Sequence, residues 1–235
     1  MTGAVVLDIE GTTSSAAHVH EVLFPYARKR LAPWVAAHRA DPEVRQVLAE
    51  VGRFLGAGTA VSEAEAVRVL ETWSDEDRKA SPLKKVQGMI WSEGYERKEL
   101  RGHVYPDTVE ALDIWRSRGT DIHIYSSGSV QAQQQWFQHS PYGDLRNRLA
   151  RYFDTSNAGP KKSADAYRTI ATALSLRPTD LLFASDTPAE LDAASAAGWR
   201  TVLILRTAEG TPPTPTDGHH PVSADLASVA RLEPA

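Results

Sequence analysis

Short apolar runs and amphipathic periodic stretches alternate along this chain. Four runs, Ala4–Leu7, Ile122–Tyr125, Leu181–Ala184 and Thr201–Leu205, stand out, and Ala150–Phe153 is a weaker fifth. Most are rich in branched or aromatic residues, as strands buried on both faces of a parallel sheet are. Helical patterns separate the later runs. Asp107–Arg118 carries Val109, Leu112 and Trp115 on one face, with Gly119 suited to its C-terminus. Ser163–Leu174 and Pro188–Ala197 are likewise helical, the latter ending at Gly198. Strand followed by helix, repeated, predicts an α/β fold with a doubly wound parallel sheet.

Residues 16–99 have a different texture, with no convincing strand. A first helical segment, broken at Pro25 and Pro33, is expected over His20 to His38. Asp41-Pro42-Glu43 combines a capping side chain with a proline at the first helical position. Val44, Val47, Leu48 and Val51 follow at helical spacing. Ser62-Glu63-Ala64-Glu65 reads as a capping box before Val67, Leu70 and Trp73. Ser81-Pro82 opens another helix bearing Leu83, Val86 and Ile90. The pattern predicts an all-helical block inserted after the first strand, so that residues 1–15 and 100–235 form the α/β core and 16–99 a cap. Thr211–Thr216, with three prolines, is expected to be a surface loop.

This organisation directs attention to the ends of strands. In open α/β sheets ligands bind beyond the carboxyl ends of the strands. Asp8 and Glu10 follow the first run, Ser126 and Ser127 the second, and Asp186 follows Leu181–Ala184. Three polar clusters far apart in sequence are thus expected on one edge of the sheet, with the helical block starting at that edge as a lid.

Composition narrows the field further. A net charge of -4 offers no footprint for nucleic acid, and the absence of cysteine excludes disulfides and thiolate metal sites. No apolar run approaches membrane-spanning length, and the first one has the wrong length and flank for a signal peptide. A cytoplasmic enzyme, without nucleic-acid or membrane partners and able to act as a monomer, is the expectation.

The chemistry follows from the residue types. A carboxylate such as Asp8 can attack phosphorus to form an acyl phosphate. The attack needs charge neutralisation, which Mg²⁺ supplies when held by hard oxygen ligands, and Asp8 and Asp186 are positioned to share one ion. Glu10, two residues on, points the same way if the strand continues, and so can deliver a proton to the leaving oxygen. Gly11 permits a tight turn whose amides are candidates for phosphate oxygens. Ser126 adds a hydroxyl. Lys161 or Lys162, ahead of a helix, adds an ammonium.

DIEGTT, a serine after the second strand, a lysine before a helix and SDTPAELDAA resemble the four motifs of the haloacid-dehalogenase superfamily. With HEVLFPYA, LKKVQGMIW and IYSSGSVQAQ the chain further resembles the enolase-phosphatases of methionine salvage, from Val5 to about Val222. The resemblance implies that Asp8 is the phosphorylated nucleophile and a Mg²⁺ ligand. It implies that Glu10 is the acid/base, its backbone carbonyl a metal ligand, and that Asp186 is the third ligand. Ser126 and Ser127 would bind substrate, and Lys161 its phosphate. The implied reaction converts 2,3-diketo-5-methylthiopentyl 1-phosphate to an acireductone and phosphate. Departures are Thr187-Pro188, where small aliphatic residues are expected, and Ser163, where an acid is common. Glu190 is a candidate for the second acidic group of the last motif.

Plainer roles compete. Ser126-Ser127-Gly128 suits a turn, Ser129 a helix cap, Asp186 the N-cap before Thr187-Pro188, and one of the two lysines a solvated surface position. His18 and His20 are candidates for substrate contact or for packing. Phe24, Tyr26 and Trp91 are candidates for the pocket or the core. His219-His220 lacks nearby acidic partners in sequence and reads as loop composition. The rival functions are a general Mg²⁺-dependent small-molecule phosphatase, a metal-free dehalogenase, and a catalytically dead binding protein.

Overall fold

The computed structural model describes residues 3–56, 61–206 and 218–232. Thr211–Thr216 lies outside the described residues. The chain divides into two compact units, Met1–His18 with Arg101–Ala235, and Val19–Leu100.

The first unit is built on a six-stranded sheet of order β3-β2-β1-β4-β5-β6. Its strands are β1 (Ala4–Leu7), β2 (Asp121–Tyr125), β3 (Arg151–Phe153), β4 (Leu181–Ser185), β5 (Arg200–Ile204) and β6 (Val222–Ser223). Every pairing is parallel. The five apolar runs are therefore strands, and β1 is buried at all four positions. β6 was not legible in the sequence, because two residues on the edge of a sheet carry no periodicity. From β1 the strands step outward through β2 to β3, and the chain then returns to β4 on the other side of β1. This is a topological switch point, where α/β sheets open a crevice.

Helices cover both faces. α6 (Pro106–Ser117) packs against β2 and α10 (Leu226–Leu232), burying Thr108, Ala111, Leu112 and Trp115. α7 (Val130–Gln138) packs on β3. α8 (Ala164–Leu174) and α9 (Pro188–Ala196) lie together on the other face, where Tyr125, Tyr167, Phe183 and Trp199 meet Val6, Ile170, Leu191 and Leu203. A three-residue helical turn, α1 (Ala16–His18), ends the first stretch of this unit.

The second unit is entirely helical among its described residues. A π-helical turn, Val19–Leu23, leads into α2 (Phe24–Ala37). Pro25 sits at the start of α2, but Pro33 lies inside it and the helix runs on to Ala37. The expected break at Pro33 is therefore absent. A proline removes one donor and kinks the helix, but Ala27, Leu31 and Val35, all fully buried, hold both halves in one core. α3 (Pro42–Phe54) is capped by the Asp41 carboxylate, which accepts from the Glu43 amide at 2.8 Å. α4 (Glu63–Asp75) is capped by the Ser62 hydroxyl, which accepts from the Glu65 amide. α5 (Ser81–Glu96) completes the unit. Val44, Val47, Val51, Leu70, Trp73, Leu83, Val86 and Ile90 form its interior.

Candidate active site

The register sets the geometry of the site. Leu7 pairs with Ile124 of β2 and with Ala184 of β4. Asp8 therefore emerges level with the ends of both neighbouring strands, and its amide donates to the Ala184 carbonyl at 3.0 Å. β1 ends at Leu7, so the extended alternation proposed to aim Asp8 and Glu10 alike does not apply. Instead the chain wraps around one carbonyl. The amides of Thr12, Thr13 and Ser14 all donate to Ile9 O, and Gly11 N–H donates to Ser14 O. Those amides are used within the loop, so the turn does not offer them to a phosphate. The Thr13 hydroxyl donates to Asp8 O at 3.0 Å and anchors the loop to the strand end.

Asp8 is buried and ion-paired. Lys161 Nζ lies 2.5 Å from Asp8 Oδ1 and 2.6 Å from Glu190 Oε2. The Lys161 side chain is only 9% exposed, whereas Lys162 is exposed. Lys161 precedes α8, and its approach is fixed by two phenols: Tyr125 donates to Gly159 O and Tyr167 to Lys161 O. Burial alone would favour the neutral amine. The Asp8 and Glu190 carboxylates outweigh it and hold Lys161 above the usual lysine range. Glu190 is pushed up, first by burial and then by the Asp8 charge. It also accepts from the Ser185 hydroxyl at 3.1 Å.

Asp186 lies one residue beyond β4. Burial, followed by repulsion from Asp8, raises its carboxyl to about 6. It does not cap α9. The N-cap is Thr187, whose hydroxyl donates to Asp186 Oδ1 at 3.0 Å. Gly11, at φ +71°, faces the Asp186 carboxylate, and a Cβ there would overlap it. Only a residue without a side chain lets the turn after Asp8 and the Asp186 carboxylate approach this closely.

Ser126 is buried at the end of β2; its amide donates to Phe153 O and its hydroxyl accepts from Gly128 N–H at 3.2 Å. Ser127 is exposed in the same turn. Ser129 caps α7 by accepting from the Ala132 amide. Two residues unremarked in the sequence hold this turn. Gln133 donates to both Gly128 O and Phe153 O. The buried Asp154 carboxylate accepts from the Ser156 hydroxyl and from the Val130, Ser156 and Asn157 amides, which together keep it below the ordinary range despite its burial.

The structure thus brings Asp8, Lys161 and Glu190 into direct contact, with Asp186 and Gly11 beside Asp8. Ser126 and Ser127 follow the adjacent strand. Glu10 is half-buried in the loop and bridges to Ser14. Among the described residues no three His, Cys, Asp or Glu side chains converge as a metal cage. The donor set is nevertheless suited to a hard cation. Beside buried Asp8, half-buried Asp186 is raised first by desolvation and then by the Asp8 charge, and a divalent ion would relieve both costs.

Other candidates fall elsewhere. His18 Nε2 lies 3.1 Å from Arg101 O, and its ring meets Trp136 edge-on. His20 packs edge-on against Phe24, which stacks on Trp91 in the helical unit. His220 does have an acidic partner. Its ring bridges Asp192 Oδ1 at 3.0 Å and the Thr201 hydroxyl at 2.8 Å, clipping α9 to β5. Twenty-eight residues separate His220 from Asp192, which hid the pairing from the sequence.

A parallel switch-point sheet with a carboxylate after β1, a buried lysine before α8 and acids after β4 defines a class of hydrolase. Residues 2–198 match the haloacid dehalogenase-like hydrolase family, to which the chain belongs. Within that class it groups with the enolase-phosphatases E1. It is 51% identical to the enolase-phosphatase E1 of Streptomyces avermitilis over 88% of this chain and 86% of the relative. It is 48% identical to that of Frankia alni over 96% and 94% of the two chains. Among solved structures, the UTR4 protein of Saccharomyces cerevisiae is similar at 30% identity and a TM-score of 0.79, covering 96% of this chain and 98% of that one. CbbY of Rhodobacter sphaeroides, solved with phosphate, shares the fold at 16% identity and a TM-score of 0.59.

Proposed function

We propose that this protein carries out the enolase-phosphatase reaction, converting 2,3-diketo-5-methylthiopentyl 1-phosphate to an acireductone and phosphate. Its relatives support the reaction. The observation that carries the chemistry is the buried contact of Lys161 with Asp8 and Glu190 beside Asp186. Among the described residues no helix is long and apolar enough to cross a membrane.

In this reading Asp8 Oδ attacks phosphorus, and the bond between phosphorus and the substrate oxygen breaks. The leaving oxygen takes a proton from Glu10. Glu10 then accepts a proton from water as that water attacks the aspartyl phosphate, releasing phosphate and restoring Asp8. Lys161 pairs with Asp8 and offsets the phosphate charge, and Ser126 and Ser127 donate to substrate. Asp8, Asp186 and the Glu10 carbonyl would hold Mg²⁺, which when bound supplies charge neutralisation at the phosphoryl oxygens.

Asp8→Asn is expected to abolish phosphate release while the protein remains folded. Acid quenching of the parent during turnover should trap a phosphorylated protein that the variant never forms. Substantial phosphate release by Asp8→Asn would remove Asp8 from the role of nucleophile.

A further inference from the structure

Arg206 follows β5 and belongs to no motif discussed above, yet its guanidinium is bound on every side. Its side chain is only 8% exposed. Nε donates to the Thr12 carbonyl at 3.1 Å, and a second guanidinium nitrogen donates to the same oxygen. Nη1 pairs with Asp107 Oδ1 at 2.6 Å, while Asp107 Oδ2 accepts from the Leu226 amide. The guanidinium carbon lies 4.2 Å from the centre of the Tyr105 ring.

The next carbonyl of the loop is held from the same region. Thr13 O accepts from the Tyr105 amide at 3.0 Å and from the Thr108 hydroxyl at 3.1 Å. Thr13 in turn donates through its hydroxyl to Asp8 O. A continuous set of bonds therefore runs from Arg206 and the start of α6, through Thr12 and Thr13, to the backbone of Asp8. A buried arginine is costly, and an apolar residue of similar size often stabilises a fold as well or better. Three converging bonds to a loop and its support suit the fixed fork of a guanidinium and not the single point of an ammonium.

We infer that Arg206 is a positioning residue: it clamps the loop after the nucleophile and thereby sets the aim of Asp8 and the placement of the Glu10 carbonyl. The inference rests on the proposed reaction for its kinetic readout and on Mg²⁺ binding for an independent one. Loss of the clamp lets the loop relax by a fraction of an ångström or more. Misplacement of a reacting group by about 1 Å costs on the order of 100-fold in rate.

The test compares the parent with Arg206→Leu, Arg206→Lys and the double variant Arg206→Leu/Asp107→Asn. The double variant removes the orphaned carboxylate charge, so that folding is preserved without the clamp. For each, kcat and KM for the diketone phosphate, the melting temperature and the calorimetric titration of Mg²⁺ are measured. The expected result is a fall in kcat of about 100-fold in Arg206→Leu with KM within about threefold. Mg²⁺ should bind severalfold more weakly, Arg206→Lys should recover part of kcat, and the double variant should melt near the parent yet stay slow. Parental kcat and Mg²⁺ affinity in a folded Arg206→Leu would overturn the inference. So would a double variant that regains both folding and kcat. If the parent itself ignores the diketone phosphate, the proposed reaction fails, and the Mg²⁺ titration still decides the role of Arg206.

Discussion

Gly11→Ala tests the site at its tightest point. Gly11 adopts φ +71°, where an L-residue is strained by about 1–2 kcal/mol. A Cβ at this position would overlap Asp186 Oδ2 and lie 2.5 Å from Asp186 Cγ, against 3.4 Å for ordinary contact, so the carboxylate must withdraw by about 1 Å or more. Gly119 is the matched control. It has φ +73° and nothing within 4 Å of its would-be Cβ, so Gly119→Ala carries the backbone strain alone. For a chain of this size, 1–2 kcal/mol lowers the melting temperature by roughly 2–8 °C. Both variants should show that loss. Only Gly11→Ala should also lose about 100-fold in kcat, the consequence of displacing Asp186 by about 1 Å, and bind Mg²⁺ more weakly. Thermal melts, phosphate release and Mg²⁺ titration on the two variants and the parent separate the effects. Equal activity in the two variants would show that the Gly11–Asp186 approach is irrelevant to the chemistry.

Two further outcomes follow from buried charge. His123, on β2, is 3% exposed, and desolvation lowers its pKa to about 4. The folded protein therefore resists a proton that the unfolded chain accepts below its ordinary value of 6.5. Stability is full above pH 6.5 and falls as the pH drops towards 4. At pH 5 the loss is about 2 kcal/mol. His123→Leu should melt several degrees higher relative to the parent at pH 5 than at pH 7.5, and an equal difference at both would refute this. Glu190→Gln removes one of two carboxylates that share Lys161, leaving a neutral buried pair. Its melting temperature should hold or rise while kcat falls at least about tenfold, a trade of stability for function. A melting temperature more than about 5 °C lower, roughly 2 kcal/mol at this size, would show that Glu190 is chiefly structural.

The elements legible in the sequence are those written in local pattern. β1 is apolar throughout and β4 as far as Ala184, and Asp41 and Ser62 announce α3 and α4 because a cap acts on an amide two or three residues away. Asp8 and Asp186 could be placed just beyond β1 and β4 from their motifs, and Lys161 ahead of α8, while the parallel order explains why the ends of β1 and β4 share an edge. Partnerships that span the chain were not readable. Arg206 reaches Thr12 across 194 residues, and His220 reaches Asp192 across 28. Glu190 entered only as the second acid of a motif, and its contact with Lys161 depends on how α8 and α9 pack side by side. The turn of the chain at Ile9 was also hidden. It arises because one carbonyl collects three amides, a preference that alternation along a strand cannot express.

The most direct test of the central claim follows the diketone phosphate in one cuvette, first with Mg²⁺ and then with EDTA, recording enol absorbance and free phosphate together. The account predicts that both signals appear with Mg²⁺ and that both vanish with EDTA. Phosphate release from simple esters while the diketone is ignored would contradict it and leave a general phosphatase. Release that persists in EDTA would remove the metal from the site built around Asp8 and Asp186.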